Sequence, residues 1–342
     1  NKYIIKFKMQ RIVWIDYAKV CSMVFIVFYH TPPRLGVLEN LACLLCLASF
    51  FFVAGLLFKD EKYNNIWQFI LHRIKQLLVP YFLFFLFFYD IWLLFGREMA
   101  GDTKIPLMAP IIEFITGRPE TICGPMWFVV CLFSVQVIYY LLNRILPSKF
   151  VFLITCLMPF LSLVLPFNSY FMLNAACAYI PFYAFAHKFT DFVFKFPKGK
   201  LKYAFPVLII LSVCYLLFVI KHPQNIYTRY GYDFLGIILF TLIGVMLILQ
   251  YVGFMKYVAK ILKRHSFIET IGKNIIVILA IQNYIIGIFK ILAFKFYGPD
   301  VFLQYPILKP LIVIMVFVIS YYSIILINKY IPFILGRGYS KN

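Results

Sequence analysis

Apolar runs of 17 or more residues recur from one end of this chain to the other, separated by short charged connections. Each is long enough to cross a bilayer as a helix. Inside lipid the backbone has no water to bond, so helices can cross where irregular segments cannot. The runs therefore predict an all-α polytopic membrane protein. Composition agrees: 63% of the 342 residues are hydrophobic and 13% are charged, and a water-soluble domain could not hide so much apolar surface. Ten spans are expected, at 12–30, 41–58, 77–95, 126–143, 150–166, 172–187, 203–220, 232–253, 274–293 and 306–328. No linker or compositional break divides them, so residues 1–342 read as one transmembrane domain.

Ten spans place both termini on one side. The connections on that side collect most of the 33 lysines and arginines, including the loops Lys188–Lys202 and Lys256–Lys273. Positive loops stay in the cytoplasm, so both termini are expected there. In a soluble domain the net charge of +20 would suggest nucleic acid. Here the charges orient the chain and meet anionic lipid head groups, and no nucleic-acid-binding motif accompanies them. The first span is too long for a cleavable leader and lacks a small-residue cleavage site. Eight cysteines raise the question of metal. Cys43 and Cys46 have paired spacing but sit inside an apolar run with no second pair or histidine near, so packing rather than a metal site is expected.

Ionisable residues inside spans are costly and usually functional. The first span carries three: Asp16, Lys19 and His30. Lys19 and His30 are eleven residues apart, three turns plus about 20°, so they share a helix face about 16 Å apart along the axis. Asp16 lies one turn before Lys19 on nearly the same face. Lys19 reads either as the satisfied partner of Asp16 or as a charge facing a polar cavity. His30, just before Thr31-Pro32-Pro33, reads either as an interfacial histidine or as a general base, since imidazole accepts a proton at neutral pH. Asp90 and Asp233, near outer span ends, are either solvated helix ends or part of an outer cavity with His30. Residues 67–77 read as an amphipathic interfacial helix whose basic residues could bind an anion such as a nucleotide phosphate. The long connection from Gly96 to Pro125 holds a short apolar segment at 111–115, read as a surface helix before a loop that could cover a site.

These residues resemble a known pattern. Asp16-Tyr17-Ala18-Lys19, then ten residues and His30, resembles the first helix of the acyltransferase 3 family, with Lys19 at the family's arginine position. Phe50-Phe51-Phe52-Val53-Ala54-Gly55 is similar to its aromatic run, with Ala54 in place of serine. Arg73 through Leu77-Leu78-Val79-Pro80-Tyr81 looks like its basic stretch entering a proline-containing helix. Thr116-Gly117 and Gly124-Pro125-Met126-Trp127-Phe128 resemble its loop and next span, and Ile271-Gly272-Lys273-Asn274 the opening of its penultimate core helix. Gln282 stands where many members have histidine. The resemblance runs from about residue 11 to 328.

The resemblance implies a membrane O-acyltransferase in the inner (cytoplasmic) membrane. It would take an acyl group from acyl-CoA, acetyl-CoA above all, and pass it to a carbohydrate hydroxyl on a surface glycan or its lipid-linked precursor. His30 would assist transfer, Lys19 would stabilise charge on the donor, and Asp16 would hold Lys19. Arg73, Lys75, Trp127, Asn274 and Gln282 would contact the donor, with Asp90 and Asp233 in the acceptor cavity. The 16 Å between Lys19 and His30 calls for a threaded pantetheine arm or an acyl-enzyme relay. A transporter of a glycan precursor has similar spans, though no internal repeat is visible. A catalytically silent relative would also fit the departures at Lys19 and Gln282.

Overall fold

A computed structural model describes residues 11–99, 101–166, 169–197, 234–298 and 300–337, with a few positions between 206 and 217. Every regular element among them is a helix. In chain order the principal ones are α1 (Val13–His30), α2 (Val37–Leu56), α3 (Ile66–Gly96), α4 (Ala109–Ile115), α5 (Trp127–Ile145) and α6 (Ser148–Leu157). There follow α7 (Leu173–Lys188), α8 (Phe234–Leu262), α9 (Ser266–Lys273), α10 (Ile275–Tyr297) and α11 (Leu308–Tyr330).

Among the described residues seven helices are long and apolar enough to cross a membrane: α1, α2, α3, α5, α8, α10 and α11. The remaining three expected spans fare differently. The segment 150–166 is α6 followed by a 3₁₀ turn to Leu163, and α7 has only 16 residues. Most of α7 is buried against α2, α5 and α6. An apolar run reads the same whether lipid or protein surrounds it, so the sequence does not show that α7 is enclosed by other helices. The segment 203–220 lies largely outside the described residues. Large apolar side chains such as Phe87, Leu94, Leu242 and Ile314 point outward, each more than half exposed at 60%, 72%, 59% and 57%. Such a surface suits lipid and not water.

The interfacial helix expected at 67–77 is instead the first turns of α3. Asn65 caps it, its side chain accepting from the Gln68 amide at 2.8 Å. Nothing breaks the helix before Pro80, and the ladder widens to a π-turn at Ile74–Leu78 just ahead of that proline. Proline removes a donor and crowds the preceding turn, and local widening absorbs it. The surface helix expected at 111–115 is present as α4.

Helix α1 is central, packing on α2, α8, α9, α10 and α11. The aromatic run of α2 explains its other neighbours. Phe51 stacks on Tyr179 of α7 at 4.8 Å, and Phe128 of α5 meets Phe50 and Phe51 edge-on. Gly55 lies so close to the Tyr183 backbone that any Cβ would collide, so glycine sets the approach of α2 and α7.

At the end of the bundle where α1 finishes, an ion pair was missed by the sequence reading. Lys309 is 2% exposed. Its Nζ donates to Glu39 Oε1 at 2.5 Å and to Pro33 O at 2.6 Å, and lies 4.2 Å from the centre of the Phe28 ring. Glu39 Oε2 accepts from the Leu35 amide at 2.8 Å. The pair ties α11, α2 and the turn after His30 together. Lys309→Met should strand the carboxylate and cost about 3–5 kcal/mol, read as a lower unfolding temperature in detergent. Adding Glu39→Gln should recover most of it. Equal stability of Lys309→Met and wild type would show that the pair holds nothing.

Candidate active site

Asp16 is 5% exposed and anchors the start of α1. Its carboxylate is gripped by Arg11: Nη2 donates to Oδ1 at 2.8 Å, and Nε donates to Oδ2. Arg11 Nη2 also donates to the Glu269 carbonyl at 2.9 Å, so the pair joins α1 to α9. Glu269 is in turn paired with Arg264, which lowers its carboxyl pKa. Gly272 presses on this site, since a Cβ there would fall 2.9 Å from Asp16 Oδ1. The expectation that Asp16 holds Lys19 by direct pairing is thus corrected. Arg11 has two parallel donors that match a carboxylate and takes both oxygens. Lys19, one turn on, makes no hydrogen bond or ion pair among the described residues and faces a cavity.

That cavity has a volume of about 620 Å³. One end is basic: His72, Arg73 and Lys75 of α3, Lys273 of α9, and Arg337. Among the described residues no carboxylate lines it. Lys19 lines it too, with the apolar Phe50, Leu132, Leu279 and Phe128, and Gln136 of α5 lies level with Arg73, because Phe69 of α3 stacks on Tyr140 of α5 one turn away at 4.1 Å. Helix α5 runs on past the cavity to Arg144, whose Nη2 donates to the Tyr63 carbonyl at 2.6 Å. Gln136 and Phe128 are eight residues apart, so the cavity follows α5 for about 12 Å from its middle toward its start.

The C-terminal turn Pro332–Leu335 closes the basic end. Gly336 has φ +65° and touches the Lys75 backbone, where a Cβ would not fit. Arg337 then donates to Asn274 Oδ1 at 2.8 Å, Asn328 Oδ1 at 2.9 Å and the Lys273 carbonyl at 3.1 Å. All three acceptors are neutral, and burial lowers the guanidinium pKa. Its charge is left for an incoming anion.

Of the expected donor residues, Arg73 and Lys75 line the cavity. Asn274 is 2% exposed and reaches it only through Arg337. Trp127 is outside the lining and its neighbour Phe128 takes the place. Gln282 is fully buried one turn past Leu279, and neither side-chain amide atom has a hydrogen-bond partner among the described residues. His30 ends α1 half-buried, its ring edge-on to Tyr29 at 5.4 Å, and is not on the lining. Asp90 is exposed on α3 away from the lining, and Asp233 lies outside the described residues. The sequence reading missed Gln136, Lys273 and Arg337. Gln136 had a signal, a polar residue inside an apolar span. Arg337 had none, because its place depends on the chain turning back at the C-terminus.

A membrane-embedded helical protein with an anion-seeking cavity at one end of its first helix is the class defined so far. The chain belongs to the acyltransferase 3 family: the family model, described as an acyltransferase domain, matches residues 12–328. It is a multi-pass membrane acyltransferase. No curated protein and no solved structure matched it.

Proposed function

We propose that the protein is an O-acyltransferase of the inner (cytoplasmic) membrane, moving an acyl group, acetyl first among candidates, from acyl-CoA to a hydroxyl of a surface glycan or its lipid-linked precursor. The observation that carries this reading is the cavity with cations at one end, no carboxylate among the described residues, and an apolar interior. A phosphate-bearing head suits the cations, and an arm ending in a thioester suits the interior. The clustering of lysine and arginine favours cytoplasmic termini, which puts the basic end on the side where acyl-CoA is made.

In this mechanism Arg73, Lys75, Lys273 and Arg337 hold the phosphates. Lys19 faces the arm and orients it, its ammonium donating to the arm's carbonyl oxygens. The acceptor hydroxyl loses its proton to His30 as its oxygen bonds to the acyl carbon. The carbon–sulfur bond then breaks, and the leaving thiolate takes up the proton that His30 received, which returns the imidazole to its neutral form. Along α1, Lys19 and His30 are about 16 Å apart, so an extended arm or a relay of the acyl group must connect them. Asp90 and Asp233 are proposed on the acceptor side. No metal is needed for any step.

The test uses purified protein in nanodiscs with a panel of acyl-CoA donors. Binding of CoA should weaken steeply with added salt, as phosphate–cation contacts do, and acyl-CoA should release thiol. Absence of both binding and thiol release across the panel would refute the donor assignment and leave the transporter reading in its place.

A further inference from the structure

Deep in the bundle, Nε2 and Oε1 of Gln282 on α10 and Oγ of Ser320 on α11 have no hydrogen-bond partner among the described residues. Both side chains are fully buried, and native proteins rarely keep such groups unpaired without reason. The two lie at one height. Arg337 bonds both Asn274, where α10 begins, and Asn328, near the end of α11, so these packed helices run in opposite directions from a shared level. Gln282 is eight residues after Asn274 and Ser320 eight before Asn328, each about 12 Å along its helix. Lys309, at the other end of α11, holds the turn after His30, so α10 runs the same way as α1. Gly272 meets Asp16 and sets the register of the two. Gln282 is seven residues beyond the start of α10 and ten beyond Gly272, which puts it about 10–15 Å past the Asp16 level. On the same scale Lys19 is at about 4.5 Å and His30 at about 21 Å. The polar pair therefore stands between Lys19 and His30. Ile275, Leu279 and Gln282 also share one face of α10; the first two line the cavity, and Gln282 is the next turn along.

Gln282 offers an amide N–H and Ser320 a hydroxyl, two neutral donors in a site closed to solvent. Such donors suit a carbonyl oxygen, and they act most strongly when that oxygen gains charge. Lys19 is about 16 Å from His30 along α1, so charge that develops nearer His30 needs donors other than its ammonium. We propose that Gln282 and Ser320 hold the acyl carbonyl oxygen during transfer. As the acceptor oxygen bonds to the acyl carbon, the π pair of the carbonyl moves onto its oxygen, and the Gln282 N–H and Ser320 O–H donate to it. That pair returns to the carbon as the carbon–sulfur bond breaks and the sulfur leaves with the bonding electrons. This rests on the donor reading above, in which acyl-CoA enters the cavity by its thioester end.

The test uses the full-length protein in nanodiscs and reads turnover at saturating acetyl-CoA, binding of CoA and the unfolding temperature. Gln282→Met keeps the length of the side chain and removes its amide. It should lower turnover by about 10²–10³, as loss of an oxyanion donor does. Ser320→Ala removes one atom and should lower turnover by about tenfold, the worth of one neutral hydrogen bond. CoA has no acyl carbonyl, so both variants should bind it as wild type does. Both should also keep or raise the unfolding temperature, because each removes an unpaired polar group. Ser320→Ala keeps the test open should methionine fit poorly at position 282. Undiminished turnover in either variant would overturn the assignment. So would turnover lost together with CoA binding or with the unfolding temperature, which would make the pair structural. Failure of wild type both to bind CoA and to release thiol would bring down the donor reading itself, and this one with it.

Discussion

Lys19→Met should fold, insert and lose turnover by about 10²-fold, the scale seen when a bound donor is misplaced by the loss of a positioning contact. The structure makes this outcome separable from a folding defect. In an Asp16–Lys19 pair, losing the ammonium would strand a carboxylate inside the membrane. Here Arg11 satisfies both oxygens of Asp16, so Met leaves no charge unpaired. Lys19→Arg should hold activity within about tenfold of wild type, because the side chain faces open cavity with room for a guanidinium. Thiol release at saturating acetyl-CoA, beside the unfolding temperature, reads both effects. Wild-type turnover in Lys19→Met would remove Lys19 from the reaction. A large drop in its unfolding temperature would make it a structural residue instead.

The fold class was legible because its cause is local. Long apolar runs leave helices as the available spanning structure, and the residues of α1, α2, α3, α5, α8, α10 and α11 show it directly. What was not legible depends on neighbours. Helix α7 reads by composition like the spans around it, yet Ala175, Ala176, Ala178 and Ala184 are all buried, shielded by neighbouring helices that the sequence does not reveal. The entry of α3 reads as a separate interfacial helix because its polar residues interrupt the apolar run, yet it continues unbroken into the span, and its basic residues, expected to meet an anion, border the cavity.

The site was half legible for the same reason. Asp16, Lys19 and His30 stand out because charge inside an apolar span is costly. Periodicity puts them on one face but does not say which partner each one chooses. Arg11 lies just outside the span and was passed over, and it is what takes Asp16. Lys309 and Glu39 lie 270 positions apart, and no spacing rule joins them.

His30→Ala should lower acyl transfer by about 10²–10⁴, the range for loss of a general base, while CoA binding and folding stay near wild type. Three observations separate these readouts. His30 is outside the cavity lining, so its loss should leave donor affinity intact. Its imidazole makes no hydrogen bond among the described residues, and its ring contact is with Tyr29, so truncation strands no buried partner. The turn after it is held independently by Lys309, which bonds the Pro33 carbonyl. The measurement pairs transfer to an acceptor-bearing membrane fraction with CoA binding on the same preparation. Undiminished transfer would make His30 an interfacial residue. A parallel loss of CoA affinity would mean that the imidazole serves the donor site, and that the reacting groups lie closer together than the spacing along α1 implies.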